Sequence, residues 1–311
     1  MMVTPTLSVR TVAVVANPDI HIKVPLLMKT LGARNVRLIK PSTLYDGHWF
    51  GELLTLLEQR EPEFKNRYRH CNEQHAAHVG ESPLQAYIVR RYPSSTSNQN
   101  APVPVAGRLY LQHLIDEYYQ GDVTAWVDQY LDLMLAVHLR LWLQYGIALE
   151  ANQQNSMVVF NHNQPLTLIM KDNDSARLLS SRLVTETPDM AVRIGEIKDA
   201  RILVDDELSL GQMFCTIILQ LNIAAIFEAM SGANMVTSEL LYGQLRHQLR
   251  IQLKKLQSEG ISTAAAEHIL YADKLYAKYL LSAGSLMSKQ QSGAADINKY
   301  YGLSVPNFLR D

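Results

Sequence analysis

GIALEANQQN (146–155), SMVVF (156–160), NHNQP (161–165) and LTLIMKDNDSARL (166–178) decide how this chain folds. Two short apolar, β-branched runs separated by Asn, Gln and Pro predict a β-hairpin, with Asp172 at the exit of its second strand. Just upstream, Asp122 reads as the N-cap of a long helix. On it Val127, Leu131, Met134, Leu135, Leu139, Trp142 and Tyr145 recur at helical spacing, and Gly146 offers the left-handed stop. A helix that leads into a hairpin predicts an α+β fold, a small mixed or antiparallel sheet packed on helices.

Outward from this centre, residues 11–40 mix TVAVV, HIKVPLL and NVRLI with Pro18, Pro25 and Gly32, which predicts short strands and turns. Helical patterns follow from Trp49 to Gln59 and at about 83–91 and 108–119. Between the last two, the polar, Pro-rich stretch 93–105 reads as a surface loop or lid. Towards the C-terminus the pattern predicts helices at about 207–230, 238–258 and 263–281, broken at Gly232 and Gly260, which makes a largely helical second lobe. Met213 to Met230 is the most apolar stretch but carries Gln220 and Asn222 and lacks flanking charge asymmetry, so it reads as a buried core helix and not a membrane span.

The chain has 311 residues, 47% hydrophobic and 19% charged, with 29 basic against 30 acidic side chains. That balance gives no global field for a polyanion, so nucleic acid is not an expected partner. Two cysteines, Cys71 and Cys215, cannot build a disulfide framework or a four-thiolate centre within one chain, and the composition suits a reducing cytoplasm. The run Val12 to Ala16 is too short for a secretory signal.

Chemistry concentrates at the hairpin. Glu150, Asn152, Gln154 and Asn155 precede it and Asp172 follows it, so its ends can bring hard oxygen ligands to one point. One or two carboxylates with an amide suit Mg²⁺ bound to a nucleotide, and Lys171 can add charge against a phosphate. Polar residues beside a hairpin also occur as a plain solvated turn, and the residues alone leave both readings open.

In the order of its segments the chain resembles the siderophore synthetases that act independently of nonribosomal peptide synthetases, the aerobactin-synthetase (IucA/IucC) type. GIALEANQQN and KDNDSARL resemble the family's Glu-Ala-His-x-Gln-Asn and Arg-Asp elements. HIKVPLLMKTLGARNV resembles its segment with Ser-x-Arg-Thr, CNEQHAA its Glu-x-Ala element, VRRYP its Arg-Glu-Asn-Pro, and VPNFL its closing Asn-Pro-Leu. The resemblance implies the palm-and-thumb part of that fold: a palm-like region at 1–200 with the nucleotide site, and a thumb-like helical lobe at 201–311. It implies a bacterial protein of siderophore biosynthesis and iron acquisition that uses ATP and Mg²⁺ to activate a citrate-type polycarboxylate as an acyl-adenylate, which an amine or alcohol then captures. By motif position, Lys29 and Thr30 sit at the phosphates and Arg90 holds phosphate or carboxylate. Glu150, Gln154, Asn155 and Lys171 line the nucleotide site, and Asp172 with Asn155 faces the metal.

Several letters differ from the family pattern. Asn152 stands where the family has His, Leu27 where it has Ser, Lys29 where it has Arg, and Lys171 where it has Arg. The resemblance covers the second half of the longer family enzymes, which implies a separate protein carrying the first half, or a homodimer, as partner. The competing expectation is a noncatalytic or accessory module that binds siderophore or citrate with a decayed nucleotide site. A ferric-siderophore reductase is disfavoured because its iron–sulfur centre needs four cysteines.

Two further clusters draw the eye. On a helix, Cys71, His75 and His78 of RHCNEQHAAH, which also holds His70, share a face that suits a transition metal; a plain surface helix is the competing reading. His21 and Lys23 flank the N-terminal strands and can approach the pocket. Arg246, Arg250 and Lys254, with Lys255 beside them, read as a solvated helix face, and Cys215 as packing.

Overall fold

The computed structural model describes residues 1–28, 36–93, 101–104, 111–160, 165–278 and 301–310. Strands and helices are numbered in chain order. The helices are α1 (Pro41–Arg60), α2 (Leu111–Tyr119), α3 (Val123–Leu143), α4 (Ser180–Glu186), α5 (Pro188–Ala191), α6 (Glu207–Met213), α7 (Ala225–Gly232), α8 (Ser238–Ser258) and α9 (Ala264–Leu270).

A five-stranded antiparallel sheet has the order β1 (Val3–Pro5), β2 (Thr11–Val14), β3 (Asn17–Lys23), β6 (Ala86–Arg91), β5 (Asn72–His78). A second sheet runs β4 (Tyr68–His70), β10 (Thr167–Met170), β9 (Ser156–Phe160), β7 (Ala101–Pro104), antiparallel except for the parallel β4–β10 pair. Smaller sheets join β12 (Leu203–Val204), β11 (Arg177–Leu179) and β8 (Ile147–Ala148), and β13 (Lys274–Lys278) with β14 (Tyr301–Pro306). The architecture is α+β.

Helix α3 is the centre of the core because its sequence is apolar on nearly every side, which suits a helix enclosed by others. Asp122 caps it, its Oδ1 accepting from the Ala125 amide at 2.9 Å. Gly146 ends the segment at φ +66°, where an added Cβ would lie 2.8 Å from Arg182 Cβ and 3.1 Å from the Leu179 carbonyl.

The hairpin β9–β10 is buried on both faces. Val158, Phe160, Leu168 and Met170 enter the main core, while Met157, Val159 and Ile169 meet Cys71 in a smaller cluster under Tyr92. This period-two division is what a strand pair enclosed between two layers requires. Each such side chain contributes about 2 kcal/mol on burial.

The helical stretch Glu207–Gly232 is long and apolar enough to cross a bilayer, yet 67% of its most apolar window is buried inside this chain, as the core-helix reading expects. Its middle, Phe214–Ala224, is π-helical. Asn222, fully buried there, donates to the Ala151 carbonyl (2.7 Å) and Ser156 Oγ (3.3 Å) and accepts from Tyr130 Oη.

The structure corrects four expectations. The helix expected at 83–91 is strand β6, in which Ala86, Ile88 and Arg90 face inward and Tyr87 and Arg91 outward. The helical face expected in RHCNEQHAAH does not exist, because β4 and β5 occupy it. The helix expected at 263–281 stops at Leu270, and Lys274–Lys278 pairs with β14. Residues 101–104 of the expected loop pair with β9. In each case pairing with another strand overrides a local pattern of a few residues.

Candidate functional site

Asp172 leaves β10 in the left-handed region (φ 60°, ψ 58°), a conformation that Asp tolerates better than most side chains. There its Oδ1 accepts from Lys23 Nζ of β3 and from Arg90 Nη2 of β6, the latter at 2.7 Å. Arg90 Nε donates to Glu73 of β5. The two Glu73 oxygens also accept from the backbone N–H groups of Asp172 and Asn173, each at 3.2 Å. Three strands of the first sheet thus grip the polar end of the hairpin in the second. Register places His21 opposite Arg90 and Lys23 opposite Ile88, so His21, Lys23 and Arg90 share one face.

Electrostatics follow from this packing. Burial opposes charge on Asp172, but Arg90 and then Lys23 hold its carboxyl well below the usual range. Burial likewise opposes charge on Arg90 and Lys23, and Asp172 holds both above their ordinary values. Burial, then Arg90, lowers Lys171. Burial pushes Asp174 up to about 6, with Lys23 opposing the rise and Asp172 adding to it. His21 is lowered to about 4 by burial and by Arg90 and Lys171, so it is neutral at pH 7. Burial raises Glu150, with Lys278 opposing and Asp172 adding. Arg10 interacts with Arg37, Asp172 and Asp174 at the rim.

Several expected residues come together here. Met170 and Ser156 are register partners, so Lys171 and Asn155 face each other, with the Lys171 amide donating to the Asn155 carbonyl at 3.1 Å. Asn155 Nδ2 donates to the Glu150 carbonyl at 3.0 Å. Asn152 Oδ1 accepts from the amides of Gln154 and Asn155, both at 3.0 Å, and Gln154 itself is exposed. Lys29 and Thr30 lie outside the described residues. Sequence reasoning missed Glu73 and Asp174. Glu73 was hidden by the helical reading of its segment, although its position in the alternating run NEQHAAH was the available signal.

The buried cations Lys23, Arg90 and Lys171 suit a polyanion such as a triphosphate. For Mg²⁺, Asp172 Oδ1 is committed to two cations, which leaves Oδ2 and the Asn155 amide oxygen as the oxygens these residues offer. Among the described residues no group of three His, Cys, Asp or Glu side chains is placed to hold a metal ion. His70 pairs with Glu58, His75 with Arg91 and His78 with Tyr45, while Cys71 is buried with its thiol pushed up. On α8, Arg246 donates to the Phe308 carbonyl at 3.2 Å, and Arg250 and Lys254 are exposed.

Residues 2–109 match the IucA / IucC family, and residues 124–292 match the family described as ferric iron reductase FhuF-like transporter. Staphyloferrin B synthase of Staphylococcus aureus (strain NCTC 8325 / PS 47) is 21% identical over 294 residues, covering 85% of this chain and 48% of the relative. Spermidine-citrate ligase of Bacillus anthracis is 27% identical over 124 residues, covering 39% of this chain and 19% of the relative. The chain therefore spans about half or less of the length of these curated relatives. Among solved structures, petrobactin biosynthesis protein AsbB from Bacillus anthracis superposes with a TM-score of 0.79 at 17% identity, covering 99% of this chain and 53% of that one. ATP-bound aerobactin synthetase IucA from Klebsiella pneumoniae gives 0.72 at 17% identity, covering 99% and 55%. These superpositions establish the shared fold.

Proposed function

This chain belongs to the siderophore-synthetase family of the IucA/IucC type, its residues 124–292 to the FhuF-like family, and from that premise we propose that it joins a citrate-type carboxylate to an amine or alcohol at the expense of ATP. The reaction releases AMP: the carboxylate displaces pyrophosphate to form an acyl-adenylate, and the nucleophile then displaces AMP. Lys23, Arg90 and Lys171 hold the phosphates and stabilise charge on the departing pyrophosphate, which a buried site does more effectively than water. Lys29 and Thr30 join them from the adjoining segment. Glu150, Gln154 and Asn155 line the nucleotide, Asn152 occupies the family's histidine position, and Asp172 and Asn155 are the residues that would hold a Mg²⁺ ion, which would supply charge against the phosphates. Residues 1–200 form the palm-like part and 201–311 the thumb-like part of a bacterial cytoplasmic protein, completed by a separate partner chain or a second copy.

The observation that carries this reading is the buried set of cations from separate strands around Asp172. Its test is AMP release by the purified chain with citrate and a polyamine, alone and with a candidate partner chain. Carboxylate-dependent AMP supports the ligase.

One feature favours the accessory-module reading. The Asn152 side-chain oxygen is spent capping its own turn, so this position offers no titratable group to the chemistry. Absence of AMP in every combination, with citrate or a siderophore still raising Tm, selects that reading.

A further inference from the structure

We propose that Glu73 is the positioning residue of this site, a buried carboxylate that fixes the plane of Arg90 and the left-handed turn at Asp172 together. The inference rests on the nucleotide-site reading above and deepens it. Glu73 is 9% exposed and Arg90 1% exposed, so neither is held in place by solvent. Glu73 Oε1 takes Arg90 Nε and the Asp172 amide, while Oε2 takes the Asn173 amide. Asp172 Oδ1 takes Arg90 Nη2. Two edges of one planar guanidinium are thus bound by two carboxylates, and the backbone that presents the second carboxylate is bound by the first.

Without Glu73, Arg90 retains in this network only one carboxylate oxygen, Asp172 Oδ1, which it shares with Lys23. The guanidinium then keeps Asp172 and the Tyr92 hydroxyl but loses the carboxylate that fixes its Nε edge, and two amides of a left-handed turn lose their acceptor. A carboxylate enclosed here is costly, and an apolar residue of similar volume would pack a strand pair at less expense. The return on that cost is orientation: Arg90 meets an anionic substrate in one fixed attitude.

The experiment measures binding of Mg-ATP and of inorganic triphosphate by calorimetry to the full chain, to Glu73→Gln, to Arg90→Lys and to the double variant, with amide exchange at Asp172 and Asn173 read in parallel. Glu73→Gln should weaken triphosphate binding about tenfold. It should add little to Arg90→Lys, because both act through the same guanidinium, and exchange at the two amides should quicken. Full affinity in Glu73→Gln, or losses that simply add in the double variant, overturns the proposal, since a merely structural role gives additive losses. If the unaltered chain binds neither ligand, the nucleotide reading falls; amide exchange unchanged in Glu73→Gln then overturns the positioning claim separately. Should Glu73→Gln not fold, Glu73→Asp, which keeps the charge but shortens its reach, replaces it with the same outcomes.

Discussion

Arg90 and Asp172, 82 residues apart in the chain, meet at 2.7 Å between Nη2 and Oδ1, and this contact joins the first sheet to the end of the hairpin in the second. Replacing Asp172 by Asn takes the paired carboxylate from Lys23 and leaves Arg90 with Glu73 as its one ion-pair partner in the network. Breaking such a pair from one side costs about 3 kcal/mol. Urea denaturation should show that loss at neutral pH. The folded Asp172 ionises below its unfolded value of about 3.9, so its stabilisation is present above that pH and fades as the pH falls below it, and so should the difference between the two proteins.

Asp174 has the opposite sign. It keeps its proton to about 6 in the folded chain, whereas the unfolded chain releases it near pH 4. Folding is therefore penalised increasingly between those values, and fully above the higher one. Asp174→Asn should raise Tm at neutral pH, by about 1 kcal/mol in stability, and the gain should vanish towards about pH 4. Thermal melts across that range decide it; a gain that does not shrink in acid counts against the buried, protonated carboxyl.

Asn222 bonds to the two ends of the turn that holds Asn152 and Asn155, through the Ala151 carbonyl and Ser156 Oγ. Asn222→Ala should cost about 2 kcal/mol by chemical denaturation, because buried partners are left unpaired. It should also speed amide exchange over residues 151–156, and protection there equal to that of the unaltered protein would exclude this link.

Gly146→Ala places a methyl against Arg182 and the Leu179 carbonyl in a left-handed backbone. The expected cost is about 2 kcal/mol, read as a fall in Tm.

Legibility of the sequence divided along the range of the forces involved. The Asp122 cap, the stripe of α3, the stop at Gly146 and the hairpin were all visible because each depends on residues a few places apart. The placement of Lys171 beside Asn155 followed from the hairpin alone. Strands β5 and β6 were misread as helical because their alternation is short; they pair with each other as neighbours in the chain, and β6 also pairs with the distant β3. That error concealed the face shared by His21, Lys23 and Arg90, and it left Glu73 without a role although its segment CNEQHAA resembles the family's Glu-x-Ala element. The two phosphate residues named from motif order, Lys29 and Thr30, fall outside the described residues.

The double-sided burial of the hairpin has a thermodynamic consequence for any ligand. A strand pair clamped by hydrocarbon above and below cannot slip by one residue without turning every side chain to the wrong layer. Lys171 and Asp172, which leave the open end of that pair, inherit its immobility, so the entropy of arranging the charges around them is lost during folding and not on ligand arrival.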